Sequence, residues 1–543
     1  MRHGGKILSD QLVKLGVRRV FSVPGESFLA ALDGLYDSGI QNVVCRQEGG
    51  AAMMAEAYGK MTGQPGVCFV TRGPGATNAS AGVHIARQDS TPMVLFVGQI
   101  DNRHTDRETF QEVDYRQMFG GLAKWVAQVD QTERLPEYIA RAFRVAMSGR
   151  PGPVVLALPE NMLSAEGDVP DFHGAWRTPV APAPYVFDHL LARLKKAERP
   201  LLVVGGPHWS AQGQKALQEF ATALQIPVVT SFRRQDYMDN RHPCFAGDLN
   251  VGVNPKLAQR VRDADCLLLV GTRFSDIETQ GYTLVDPADP GKTILHIHAD
   301  ADEIGRVYGA DLGVVCQGDV AIVALKAAAV DAGAGWPDWT AAARADFEGW
   351  QQPVESPGAV KQEQVIRWLS ENLPQDAILT NGAGNYAAWL HRYFTYKQHG
   401  TQLAPTSGSM GYGFPAAVSA ALEYPERAVV CLAGDGCFQM TCNELSTAVQ
   451  HGAALIVIVM NNGRYGTIRM HQEKHYPGRV SGTELANPDF AALARAYGGF
   501  GATVTTQDQF AEAFAGARAA GTVAVIECVL DPRVLSTGAS LAG

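Results

Sequence analysis

Two short polar clusters close two apolar runs near the carboxyl end of this 543-residue chain. Gly434-Asp435-Gly436 follows the run 428–433, and Asn461-Asn462 ends the run that begins at 454. The intervening segment, 437–460, has room for one helix and one strand. The spacing therefore predicts strand, tight turn, crossover helix and next parallel strand, with Asp435 and Asn462 at the carboxyl ends of neighbouring strands, where open α/β sheets bind ligands. Oxygen ligands at that place suit Mg²⁺, a hard cation that takes few protein oxygens and fills its shell with water and phosphate oxygens. A diphosphate is the natural partner, and the glycines flanking Asp435 let the backbone approach it. Gly-Asp-Gly is also an ordinary turn sequence, but a plain turn does not explain the second strand ending in Asn-Asn.

These residues resemble the shared signature of the thiamine diphosphate (ThDP) enzymes, Gly-Asp-Gly followed at this spacing by Asn-Asn. The resemblance implies Asp435, Asn462 and Arg464 as Mg²⁺ ligands, with Gly436, Cys437 and Tyr465 at the cofactor. Cys45-Arg46-Gln47-Glu48-Gly49-Gly50 resembles the segment whose glutamate hydrogen-bonds the aminopyrimidine ring, which makes Glu48 the implied activating acid. That chemistry needs a carboxyl group in an apolar, desolvated place, able to share a proton with a ring nitrogen. The small residues around Glu48 fit a buried helix start. Val23-Pro24-Gly25-Glu26 resembles the first active-site loop and brings in Gly25; Thr71-Arg72-Gly73-Pro74-Gly75 resembles the Gly-rich turn after the following strand. Phe110-Gln111-Glu112, with Lys124 downstream, is similar to a pattern of the acetolactate synthase branch. It implies that Gln111 hydrogen-bonds the reacting oxygen and that Lys124 meets substrate. Ser407-Gly408-Ser409-Met410-Gly411 resembles the segment that bends ThDP into a V, the Gly408 carbonyl accepting from the aminopyrimidine amine. Met410 is then the wedge, its polarizable thioether filling space without a competing hydrogen bond. Asn381-Gly382-Ala383-Gly384-Asn385-Tyr386 would supply diphosphate contacts from Gly384 and Asn385. The branch usually has Gly-Gln-His here, so this match is to the position and not to the residues.

In that branch the central domain binds FAD, and Gly271-Thr272-Arg273-Phe274-Ser275-Asp276 resembles the segment whose arginine meets the flavin region and the acceptor's carboxylate. Arg273 could grip such a carboxylate as a bidentate pair. Proline at 207, after Gly205-Gly206, and Ala246-Gly247-Asp248-Leu249-Asn250 both depart from the branch pattern and leave FAD open. A third departure puts Thr467 and His471 where the branch has methionine and tryptophan. An imidazole in place of an indole removes apolar area and adds a group that titrates near neutral pH, so His471 is a substrate-facing candidate in a reshaped pocket.

The resemblance implies decarboxylation of a 2-oxo acid with carboligation to a second carbonyl compound, most simply two pyruvates to acetolactate. Simple decarboxylation, an FAD-dependent oxidase and a catalytically silent cofactor-binding scaffold are the alternatives. It also implies that Glu48 and Asp435 serve one site from two subunits, hence a homodimer or homotetramer. A net charge of −9 argues against a general nucleic-acid partner. The longest apolar runs are strand-length, short of the ~20 residues of a membrane helix. The start lacks a secretory core and leads into an amphipathic helix pattern over 7–15, so the cytoplasm is the expected compartment. Nine cysteines show neither zinc-like pairs nor a disulfide framework. The expected architecture is α/β throughout, three doubly wound parallel-sheet domains: a pyrimidine-binding domain over 1–170, a central domain over 185–330 and a diphosphate-binding domain over 355–543. The Pro-rich stretch 170–184 reads as a linker, and 330–358, with Trp336, Trp339 and Trp350, as a connector with partial helix.

Overall fold

Runs dominated by Val, Leu and Ile, such as Met93–Gln99 and Pro153–Pro159, are buried along their whole length, as strands covered by helices on both faces must be. The computed structural model describes residues 1–173, 180–329, 333 and 335–541. Pro179 of the expected linker and Val330 of the expected connector lie outside the described residues.

Three six-stranded sheets emerge, and every pairing within them is parallel. The first runs Gln41–Val44, Arg19–Ser22, Gly66–Val70, Met93–Gln99, Pro153–Pro159, Trp125–Gln128; the third runs Gln402–Leu403, Ile378–Asn381, Val429–Gly434, Ile456–Asn461, Ala524–Val529, Phe500–Val504. Numbered along the chain, both have the order 2-1-3-4-6-5, so the two outer domains are topological copies without residue-level repetition. The central sheet instead has the order 3-2-1-4-5-6, with Pro200–Val204 and Cys266–Val270 side by side. In each sheet the order reverses between two strands, and the crevice beyond their carboxyl ends is where a ligand is received.

The strands named by apolar runs in the sequence are interior ones, and the edges are less legible. Gln41–Val44, Trp125–Gln128, Leu312–Val315 and Phe500–Val504 are partly exposed edge strands with few consecutive apolar residues. The partial helix expected within the connector is one element. Pro337–Trp350 is a continuous helix docked on the central domain, the Trp336 indole donating to the Ala197 carbonyl at 2.8 Å and the Trp339 indole to Pro200 at 2.9 Å. Its tryptophans are anchors, which a polar stretch conceals. The segment between Gly436 and Asn461 also holds more than one helix: Asp435–Gln439, a 3₁₀ turn over Cys442–Glu444, and Leu445–His451. All nine cysteines are unpaired and eight are buried, as core thiols. Among the described residues no helix is long and apolar enough to cross a membrane.

The outer domains share one hydrophobic core, with helix Glu48–Thr62 against helix Gly413–Glu423. The central domain locks into that pair through the buried loop 231–240. Asp236 is 3% exposed, and its Oδ2 accepts from the backbone N–H groups of Gly400, Thr401 and Gln402 at 2.9, 3.0 and 3.3 Å. Removing a partner from buried donors costs about 1–3 kcal/mol for each group left unsatisfied. Asp236→Ala is therefore expected to lower stability by at least ~3 kcal/mol, read from chemical denaturation; a loss under about 1 kcal/mol would show that water or another acceptor replaces it.

Candidate active site

In the third sheet Gly434 pairs with Met460, so the tips of Val429–Gly434 and Ile456–Asn461 lie side by side. Above them is a cavity of about 240 Å³ whose wall includes Asp435, Gly436, Cys437, Asn462, Arg464 and Tyr465. Gly384 and Asn385, after Ile378–Asn381, complete one side, and Gly408 and Met410 another. The structure thus gathers every cofactor and metal candidate of the C-terminal third into one cavity at the point of strand-order reversal.

Local geometry explains the residue types. Gly384 at φ +148° and Gly408 at φ +67° adopt backbone that favours glycine. A Cβ on Gly436 would sit 2.6 Å from the Tyr465 ring. Asp435 starts helix Asp435–Gln439 and is 3% exposed. Its Oδ2 accepts from the Gly463 N–H at 2.9 Å and from the Asn487 amide at 2.7 Å. Burial raises the Asp435 pKa, while Asn487 and nearby N–H groups pull it down. A desolvated carboxylate held on one side by neutral donors is a place where a cation repays the burial cost. Arg464 can serve a metal only through its carbonyl, since a guanidinium has no acceptor. Asn487 escaped the sequence reading because it lies beyond the signature, in an irregular stretch; its amide also reaches Asn461 Oδ1 at 2.8 Å. The donor set, one carboxylate, one amide and a main-chain oxygen beside glycine-floored space, fits Mg²⁺ with a diphosphate.

A second cluster forms on the N-terminal domain. Gly25 packs against Thr71, a Cβ there meeting the Thr71 side chain at 2.4 Å; Gly75 lies against Thr71 and Glu48, and Gly73 against Gln111, which adopts φ +65°. Glu48 begins its helix, is only partly buried, and accepts from the Asn78 amide at 2.9 Å. The full desolvation expected for it is thus absent within one chain, and Glu48 is not on the wall of the C-terminal cavity. What fixes this helix start is Glu444, fully buried, whose Oε1 accepts from the backbone of Arg46 at 3.2 Å and Gln47 at 3.0 Å. Burial raises the Glu444 pKa. A carboxylate at a helix N-terminus is favoured by the exposed N–H groups there, and here it comes from another domain.

Three candidates stand elsewhere. Lys124 Nζ donates to the Ser148 carbonyl at 2.5 Å, at the amino end of its strand. Arg273 donates to the Gln88 carbonyl at 3.0 Å and lines a separate cavity of about 260 Å³ at the order reversal of the central sheet. His471 is exposed on helix Gly466–His475, its ring beside that of His475. Thr467, by contrast, faces the cofactor cavity: its Oγ1 receives the Asn385 N–H and donates to Asn385 Oδ1, both at 2.9 Å. The two departures from the family pattern therefore form one polar clasp. Beside the central cavity the Trp209 indole, bonded to the Gly205 carbonyl at 2.8 Å, fills the turn.

In the apo-protein, the raised Asp435 pKa contributes stability that is fully present below the usual carboxylate value of ~3.9 and is lost as pH rises through the raised value. Asp435→Asn keeps an acceptor for Asn487 and carries no charge, so the apo variant should be at least as stable as wild type at neutral pH. It should also forfeit the gain on adding Mg²⁺ and ThDP, about 2.7 kcal/mol at a hundredfold excess over Kd. Calorimetry with and without ligand checks both; a variant that keeps the gain contradicts the metal assignment.

Three family descriptions match in order: "Thiamine pyrophosphate enzyme, N-terminal TPP binding domain" over residues 2–118, the "central domain" over 187–325, and the "C-terminal TPP binding domain" over 382–528. The chain is 33% identical to the acetolactate synthase isozyme 2 large subunit of Escherichia coli K12, the match covering 93% of this chain and 92% of that protein. It is 32% identical to the acetolactate synthase large subunit of Corynebacterium glutamicum, over 95% and 84%. Identity to the mitochondrial acetolactate synthase catalytic subunit of Saccharomyces cerevisiae is 31%, over 93% and 77%. With the strand-tip cavity, the shared core of the outer domains and these matches together, the chain belongs to the thiamine pyrophosphate enzymes, among relatives of the acetolactate synthase large subunits.

Proposed function

We propose that this enzyme decarboxylates a 2-oxo acid and joins the retained fragment to a second carbonyl compound, with pyruvate in both roles the simplest case. The observation that carries the reading is the pairing of the Asp435 and Asn462 strand tips beneath a single cavity, and the names of the relatives support the carboligation. Bound ThDP supplies a nucleophilic carbon and an electron sink for CO₂ loss.

The chain's own residues bind, orient and move protons around it. Asp435, the Asn462 amide and the Arg464 carbonyl would hold Mg²⁺, which neutralises diphosphate charge. The Gly408 carbonyl would orient the pyrimidine amine, and Met410 would fill the space under the bent cofactor. Glu48 would hold a proton against the pyrimidine ring nitrogen, its orientation set by Asn78. Gln111 would donate to the reacting oxygen from its left-handed turn against Gly73. Because the cavity wall comes from the C-terminal domain while Glu48 remains partly exposed, the complete site is read as lying between two copies of the chain. Burial against the second copy would supply the desolvation that Glu48 lacks in one chain. Thr467 and His471 are more polar than the methionine and tryptophan of the branch pattern, and no step is routed through a flavin.

With Mg²⁺, ThDP and pyruvate, the expected product is acetolactate, read as acetoin after acidification. Glu48→Gln should lower turnover by at least about 10²-fold while leaving Mg²⁺-dependent ThDP retention intact; unchanged turnover would assign the activating role elsewhere.

A further inference from the structure

Gln362 is the first residue of helix Gln362–Asn372, is 5% exposed, and lines the same cavity as Asp435 and Asn462. Its Oε1 is sealed from solvent and has no hydrogen-bond partner among the described residues. Buried side-chain amides are nearly always paired, and an unpaired one costs stability. A glutamine kept for packing would have found a partner or been replaced by an apolar residue of similar length. The unpaired atom is the amide oxygen, so at the wall of a ligand cavity the fold leaves one polar end of this side chain without a protein partner among the described residues.

Position along the sheet edge identifies that partner. The strand tips follow one another in the order Ile378–Asn381, Val429–Gly434, Ile456–Asn461, Ala524–Val529. The segment that carries Gly408 and Met410 stands at the first tip, where a Cβ on Gly413 would sit 2.9 Å from the Asn381 backbone. Leu530 stands beyond the third, its N–H donating to the Asn461 carbonyl at 2.8 Å. Gln362 shares the cavity wall with Leu530 and Leu535, and its neighbour Lys361 donates its N–H to Gln507 after the edge strand Phe500–Val504. A cofactor laid along these tips, with rings at Met410 and metal at Asp435 and Asn462, ends beside Gln362. Rotation of the terminal amide presents two donor hydrogens to an oxyanion.

We infer that Gln362 is a cofactor-binding residue whose side-chain amide donates to the terminal phosphate of the diphosphate, an inference that rests on the proposed occupancy of this cavity by ThDP. Gln362→Met keeps length and removes both polar ends. The apo variant should be at least as thermostable as wild type, because a buried unpaired carbonyl oxygen is gone. ThDP affinity in Mg²⁺, followed by quenching of tryptophan emission, should fall on the order of 10-fold, the loss of one charge-assisted hydrogen bond. Affinity for thiamine monophosphate, which lacks that phosphate, should not change. Unaltered ThDP affinity in the variant overturns the inference alone. So does an equal loss for both ligands with a lower melting temperature, which marks a packing residue. Absence of Mg²⁺-dependent ThDP binding to the wild type defeats the proposed function as well.

Discussion

The arrangement depends on one constraint: a carboxylate must stay buried at the tip of a central strand. Asp435 is held by donors from two later segments, the Gly463 backbone and the Asn487 side chain. Those donors exist only because Val429–Gly434 and Ile456–Asn461 run parallel and in register, Gly434 beside Met460. Register slipped by one residue would turn the strand side chains to the opposite face. The desolvation penalty on Asp435 is thus a cost to the apo-protein that the proposed cation would remove, so affinity for that metal and stability of the fold would be set by the same geometry.

Buried carboxylates of a similar kind join the domains. Asp236 receives three backbone N–H groups from the C-terminal domain, and Glu444 reaches from that domain to the start of the Glu48 helix. Backbone donors ask for no particular side chain in return, so the seams fix position while the sequences facing them stay free to vary. Through Glu444 the diphosphate-binding domain of a chain sets the orientation of the helix that presents Glu48. In the proposed assembly one chain would carry two half-sites tied to each other through this contact, the condition a symmetric assembly needs to close both sites at once.

Fully covered parallel strands are written as unbroken apolar runs, and those are the strands that the sequence makes legible. Edges such as Gln41–Val44 and Phe500–Val504 are half-exposed, so their residues carry no comparable signal. The site follows the same logic. Residues on tight turns at strand tips, Gly384, Gly408 and Asp435, stand in sequence signatures because backbone conformation and charge demand their types. Asn487 reaches Asp435, and Gln362 the cavity wall, from irregular or distant segments, where one amide residue looks like any other. Arg273 and Lys124 stand in segments that fit a family pattern, and within one chain Arg273 lines the central cavity while Lys124 bonds the Ser148 carbonyl of the N-terminal domain. The two departures at 385 and 467 are intelligible only together, since their meaning is a hydrogen bond across 82 residues.

The central claim is that a cofactor clamped at Asp435 of one chain is activated by Glu48 of another. Glu48→Gln and Asp435→Asn proteins, each inactive alone, can be mixed, dissociated and reassembled, with hybrid formation confirmed by native mass spectrometry. A shared site predicts recovery of about a quarter of wild-type activity, since statistically half of the dimers are hybrids and each has one intact site. No recovery despite proven hybrids would mean that both residues act within a single chain, and the account would be wrong.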